Sequence, residues 1–299
     1  MRQLIDIVSN EKSFKHPLIG SPGLNRLGLH SARVLGAGLC SRLRRIGAGA
    51  AASDLRARLW RDGFVVIGKL LPAELLEPAQ REFSQRLAAH ESEVPSPRIA
   101  GRGFGRRLPN DGGFDRADGG SLNRFVALDG RCPLLLGAFA ENLALRGLLR
   151  ALTGVGVAPD AFWLYQLVHG DESLNPDPQR QWHCDTFHDT FKLWYFFEPL
   201  TVRDGPLLYA AGTHRSTAAR RRWERRQILA AGARSSAFRV GADDLAGLSG
   251  EPPHAVLAPA NSLVLANTRG FHCRGLAPAG TVRQGLYANL RPRAFALRP

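Results

Sequence analysis

The sequence predicts an α+β fold in which helices precede a β-sandwich or barrel. Three observations predict it. Helix signals concentrate before residue 152, whereas from Phe162 onward short β-rich runs alternate with turns. The 299 residues are 44% hydrophobic and 22% charged, an ordinary globular composition with enough chain for a substantial core.

Residues 1–50 read as a basic extension and residues 51–299 as the main domain. The extension carries eight basic residues against Asp6 and Glu11. Read as a helix, it places Leu24, Leu35, Leu39, Leu43 and Ile46 on one face, with Arg26, Arg33 and Arg44 roughly opposite. That pattern suits a segment lying on an anionic membrane, and equally one packed on its own protein. Arg42 on the apolar side and three glycines (Gly28, Gly36 and Gly38) weaken it.

In the main domain, Ser53 is expected to cap a helix running to about Arg61, which Gly63 ends. Phe64–Ile67 is a short strand, and a helix follows from Ala73 to about His90. Residues 101–120, GRGFGRRLPNDGGFDRADGG, are glycine-rich and aperiodic, which predicts a mobile, lid-like loop. Its GRGFG is no dinucleotide fingerprint, because no strand precedes it and no apolar helix follows. Another helix covers Leu134–Leu152. The β-rich runs are Phe162–Val168, Gln181–Asp185, Phe191–Phe197, Pro206–Ala210, Ala255–Leu257, Ser262–Ala266 and Val282–Leu290. Asp204-Gly205 reads as a hairpin turn. Thr213–Gln227, with Arg220, Arg221, Arg222, Arg225 and Arg226 around Trp223, reads as a solvated helix face or an anion-binding flank.

Composition excludes several classes. No run approaches 18 apolar residues, so no transmembrane helix is expected, and the first residues contain no secretory apolar core. Four scattered cysteines without CxxC spacing predict free thiols in a reducing cytoplasm. The formal charge is +14, and all basic residues except Lys12, Lys15, Lys69 and Lys192 are arginine. Such an excess points to an anionic partner: nucleic acid, an acidic membrane surface, or a carboxylate- or phosphate-bearing substrate. No helix-turn-helix, zinc finger or aromatic RNA-binding motif accompanies it, which argues against nucleic acid.

The chemistry concentrates in Gln181-Trp182-His183-Cys184-Asp185. In a strand, His183 and Asp185 point to the same side, and Cys184 to the other. His272 lies 87 positions beyond Asp185. Two histidines and one carboxylate on one side of a barrel make the facial triad of a non-haem Fe(II) oxygenase, which leaves coordination positions open for a cosubstrate and O₂. Arg283, eleven residues past His272 in the last strand, suits a bidentate grip on the far carboxylate of 2-oxoglutarate. Strand placement alone adds Gln166 and Lys192 as pocket residues. His214 reads as structural.

From about Asp62 to Pro292 the chain resembles the phytanoyl-CoA dioxygenase-like family of Fe(II)/2-oxoglutarate oxygenases. The resemblance is carried by DGFVVIGKLLP, QWHCD, KLWYFFEPLTVRDGPLLYAAGTHR, NTRGFH and VRQGLYANLRP. It implies a double-stranded β-helix (jelly roll, cupin-like) flanked by helices. It also implies iron ligands at His183, Asp185 and His272, Arg283 on 2-oxoglutarate, and Trp194 beside that cosubstrate. The presence of Asp185 separates the chain from halogenating variants, which lack this carboxylate.

The expected activity is hydroxylation of an unactivated C–H bond, with Fe(II), 2-oxoglutarate and O₂. In layout and charge the chain is most similar to the Kdo hydroxylases, which act on the 3-deoxy-octulosonate sugar of the lipopolysaccharide inner core. This implies an anionic glycolipid substrate and a peripheral place on the inner face of the cytoplasmic membrane, reached through residues 1–50. The alternatives are a same-family hydroxylase of a soluble small molecule, a basic nucleic-acid-binding protein, and a non-catalytic barrel.

Overall fold

Phe162–Val168 and Val282–Leu290 form strands over the residues expected, and they pair along seven positions, from Val168↔Val282 to Phe162↔Ala288. A computed structural model describes residues 5–48, 52–93, 107–110, 112–155, 162–173, 175–230 and 234–297. Its strands are β1 (Phe64–Gly68), β2 (Arg107–Asn110), β3 (Gly113–Asp118), β4 (Ser121–Ala127), β5 (Phe162–Val168), β6 (Phe191–Phe196), β7 (Leu207–Tyr209), β8 (His254–Val256), β9 (Ser262–Asn267), β10 (His272–Arg274) and β11 (Val282–Leu290). Eight make an antiparallel sheet ordered β1-β9-β6-β11-β5-β4-β3-β2, and three make a second sheet ordered β10-β7-β8. The fold is the α+β jelly roll, with helices applied to the larger sheet.

The helices are α1 (Pro22–Arg26), α2 (Leu29–Ile46), α3 (Ser53–Asp62), α4 (Ala73–Glu93), α5 (Leu143–Thr153), α6 (Ala218–Leu229) and α7 (Ala242–Leu248). The main core lies where α3, α4 and α5 press Leu59, Phe83, Leu149 and Leu152 onto Leu164, Leu193, Leu265 and Leu286 of the large sheet. Burying each such side chain removes apolar surface worth roughly 1.5–3 kcal/mol. A second cluster, Phe196, Tyr209, Val256 and Val264, joins the two sheets at one end. The remaining space between the sheets is open, and the site occupies it.

Several local expectations change. Ser53 is the first helical residue of α3 and not its cap; Ala52 holds that place in a left-handed turn (φ 55°) without a side-chain hydrogen bond. Gly63 ends α3 as expected, at φ 95°. The helix expected over 134–152 is broken: a π-helical turn spans Leu136–Ala140, and α5 restarts where Asn142 Oδ1 accepts the Leu145 N–H at 2.9 Å.

The expected loop over 101–120 is corrected in its second half, where β2 pairs with β3 and β3 with the unexpected β4. Residues 101–106 and 111 lie outside the described residues. These strands escape a hydrophobicity reading because their charges satisfy one another. Arg124 pairs with Asp115 at 3.1 Å, both buried, and Asp118 accepts from Arg116 (2.7 Å) and Asn123 (2.9 Å).

In residues 5–48, α2 turns two of its arginines, Arg33 and Arg44, inward, while Arg42 stays exposed. Arg33 and Arg44 are each only 3% exposed, whereas Leu35 (50%), Leu39 (58%), Leu43 (44%) and Ile46 (72%) face outward. Arg33 donates to the carbonyls of Ile7 (2.8 Å), Ser9 (3.1 Å) and Glu11 (2.6 Å), and Arg44 to those of Arg293 and Ala296. On the same side, His30 Nε2 meets Glu224 at 3.1 Å and Ser41 donates to Asp189 at 2.6 Å. The periodicity was legible; the face that turns inward was not.

Candidate metal centre and cosubstrate pocket

Two segments bring the site together. Gln181–Asp185 is not a regular strand, contrary to expectation: it forms only single bridges, His183 to His272 on one side and to Arg239 on the other. The reason lies in its neighbours, which are themselves short or irregular. Cys184 N–H donates to Phe238, Val240 N–H to Trp182, and Asp185 N–H to Thr268 (3.0, 3.0 and 2.9 Å). The extended alternation nevertheless survives. His183 and Asp185 face the cavity between the sheets, while the Cys184 thiol turns toward Trp223, Phe238 and Phe271 and receives Arg220 Nη2 at 3.4 Å.

His183, Asp185 and His272 place one donor atom each within 4.8 Å of one another. Asp185 Oδ1 is 3.9 Å from Nε2 of both histidines. His183 Nδ1 lies 2.7 Å from the Gln181 carbonyl, and His272 Nδ1 2.9 Å from that of Gly270. A carbonyl only accepts, so each Nδ1 carries the proton and each Nε2 keeps its lone pair for a metal. His272 Nε2 is buried with no hydrogen-bond partner. Burial, reinforced by His272, pushes the His183 pKa down to about 3; burial also lowers that of His272, so both rings stay neutral. Burial works against ionisation of Asp185, but the Lys192 ammonium outweighs it and holds the carboxyl well below its usual range. The set therefore offers two imidazoles and a carboxylate, a donor set suited to Fe(II).

The cavity around the triad measures about 630 Å³. Arg283 reaches it from β11, half-buried, with its Nη1 on the Gly205 carbonyl and its buried Nε without a hydrogen-bond partner. Gly205 stands at φ 61°, where a side chain would also strike His169. Burial lowers the Arg283 pKa, and Arg274 adds to the effect. An unmatched buried guanidinium N–H is the mark of a missing acceptor, and a carboxylate fits it.

The other expected residues divide. Trp194 lines the cavity and packs on Tyr287, ring centroids 5.9 Å apart. Lys192 lines it too, but its ammonium is committed to Asp185 Oδ2 at 2.8 Å, so it orients the carboxylate and is not free for a cosubstrate. Gln166 is a correction: it does not line the cavity, because β5 alternates and presents Tyr165 there instead. Strand alternation within β5 was the signal that would have selected Tyr165. His214 is structural, buried with Nε2 on the Trp60 carbonyl at 3.2 Å.

No protein-family model matches the sequence, and no curated protein does either. Among solved structures, AviO1 from Streptomyces viridochromogenes Tue57 is similar at 15% identity and a TM-score of 0.50, over 82% of this chain and 99% of AviO1. EctD from S. alaskensis, solved with bound Fe, is similar at 16% identity and a TM-score of 0.50, over 84% of this chain and 83% of EctD. At such identities the likeness establishes the fold, the jelly roll described above. No helix among the described residues is long and apolar enough to cross a membrane.

Proposed function

We propose that the chain is an Fe(II)- and 2-oxoglutarate-dependent oxygenase that hydroxylates an anionic small organic molecule. The carrying observation is the pair of unprotonated Nε2 atoms converging with Asp185 Oδ1 on a cavity that also holds the half-satisfied Arg283. EctD, of the same fold, binds Fe, which supports this reading. When bound, the metal and 2-oxoglutarate supply oxidation of a C–H bond by O₂, with succinate and CO₂ as coproducts. His183, Asp185 and His272 would hold the metal, and Lys192 fixes the carboxylate that does so. Arg283 anchors the far carboxylate of the cosubstrate, and Trp194 and Tyr287 wall off water. The cavity volume is in the range for small-molecule sites, which favours a soluble substrate.

The test is anaerobic addition of Fe(II) and then 2-oxoglutarate. A visible charge-transfer band is expected, and its absence at saturating ligand rejects the reading. Oxygen-dependent succinate release should vanish in Asp185→Ala.

A second reading, a lipid-anchored anionic sugar such as Kdo of the lipopolysaccharide core, is favoured by one observation: the outward leucine stripe of α2. It implies binding at the cytoplasmic membrane face. Lipopolysaccharide from cells with and without the protein should differ by one oxygen atom on Kdo; identical core sugars reject it.

A further inference from the structure

The cavity is more cationic than its metal and cosubstrate require. Seven basic side chains line it, and Asp185 is the acidic one among the lining residues. Three of the seven are neutralised: Lys192 by Asp185, Arg116 by Asp118, and Arg274 by Asp118 and Asp177. Arg283 goes to the cosubstrate on the oxygenase reading, and the assignment of the remaining charges rests on that reading. Lys12, Arg239 and Arg291 remain, all exposed at the cavity and none with a carboxylate partner among the described residues. Lys12 Nζ donates to the Asp185 carbonyl at 2.7 Å and Arg239 Nη1 to the Pro178 carbonyl at 2.8 Å. Arg291 makes no hydrogen bond or ion pair among the described residues.

These three charges come from distant parts of the chain, and the backbone ties their segments together. Ser236 N–H donates to Lys12 and Phe14 N–H to Arg234, both at 2.9 Å, with a bridge from Ser13 to Ser235. The same 234–240 segment continues to Arg239, which bridges to His183. Asn10 clamps the other side: its Oδ1 accepts the Ala294 N–H at 2.7 Å and its Nδ2 donates to Pro292 at 3.3 Å, next to Arg291. Arg33 holds the segment from behind through the three carbonyls described above. Burial lowers the pKa of that guanidinium to about 10, so desolvating it opposes folding and the grip on Ile7–Glu11 offsets the cost.

We propose that the segment 5–14 is a substrate-recognition wall of the oxygenase cavity, and that Lys12, Arg239 and Arg291 together bind an acidic group of the substrate, a carboxylate or a phosphate. Unpaired cations grouped at a concave site attract an anion more strongly than the same charges spread over a surface. The acid group held there leaves the remainder of the molecule to extend inward toward the triad.

The test uses calorimetric titration of the full-length, metal-free protein with pyrophosphate and with citrate. Wild type and Arg283→Gln should bind alike, which separates this site from the cosubstrate anchor. The triple variant Lys12→Gln/Arg239→Gln/Arg291→Gln should bind at least about tenfold more weakly. A preference for pyrophosphate identifies a phosphate site, and a preference for citrate a carboxylate site. Lys12→Gln alone, expected to weaken binding by about threefold or more, guards against misfolding of the triple variant, as does its melting curve. Unchanged binding in the folded triple variant, or no binding of either anion by wild type, overturns the proposal. Neither result touches the Fe(II) and 2-oxoglutarate band, so failure here and failure of the oxygenase reading are told apart.

Discussion

His183 and His272 exchange both of their backbone hydrogen bonds, N···O 3.0 Å from His183 to His272 and 2.9 Å in return. Two of the proposed metal ligands are thus set by one two-residue antiparallel pair, and their ring centroids lie 4.5 Å apart. The pair depends on the main chain, so the imidazoles can be removed without removing the frame.

His183→Ala should therefore keep the fold and lose the metal. Its melting temperature is expected within a few degrees of wild type, with Fe(II) affinity down by more than about 100-fold. His183→Pro deletes the N–H of the pair and should lower the melting temperature clearly. Circular dichroism with metal titration checks both; equal melting of the two variants would contradict the main-chain account.

Lys192→Met removes the ammonium from Asp185, whose side chain is 28% exposed. Discounted for that exposure, the metal-free protein should lose about 1–2 kcal/mol. A divalent ion then takes over the neutralising role. Mn(II) should raise the melting temperature of the variant by more than that of wild type. Differential scanning calorimetry with and without Mn(II) measures it, and an equal rise in both proteins would refute the pairing argument.

Arg283→Gln should leave metal binding intact and weaken 2-oxoglutarate by about 10- to 100-fold, the range for one charge-assisted pair. The charge-transfer band titrated against 2-oxoglutarate gives the affinity directly. Unaltered affinity would remove Arg283 from the cosubstrate site.

Glu224 supports acid sensitivity. It is buried on α6 between Arg220 (2.8 Å) and His30 (3.1 Å). Burial opposes its ionisation, yet Arg220 first and His30 next pull its pKa from 4.5 down to about 2. A depressed folded pKa contributes stability that is complete above the unfolded value and is lost as pH falls through this window. Between pH 5 and pH 3 this group should cost wild type about 2 kcal/mol. Glu224→Gln should be less stable at pH 7 and show a shallower slope over that interval in urea denaturation; matching slopes would exclude the group as the source.

The site was more legible in the sequence than the fold around it. His183, Asp185, His272 and Arg283 announce themselves because metal and carboxylate chemistry restricts residue type. Strand β5 is legible because nearly every position is a large apolar or aromatic residue, and β11 because Leu286, Ala288 and Leu290 alternate toward the core. Strands β2, β3 and β4 were not, since Asp115–Arg124 and Asp118–Arg116 satisfy charge with charge and leave no apolar period. The inward face of α2 was hidden for a related reason. Arg33 and Arg44 are accepted by main-chain carbonyls far away in sequence, and a carbonyl leaves no trace in residue type. Strand placement alone named Gln166 without fixing which face of β5 meets the cavity, and it is the neighbouring Tyr165 that lines it.

The clamp between Asn10 and the Pro292–Ala294 stretch joins positions 282 and 284 residues apart. Contacts of that span carry the largest loop-closure entropy and form late in folding. Arg33 and the 234–236 backbone hold the segment 5–14 from one side, and its other side stays open until Pro292–Ala294 reaches Asn10. A fragment ending before Pro292 would keep the grouping of His183, Asp185 and His272 while leaving that side of the cavity unclosed.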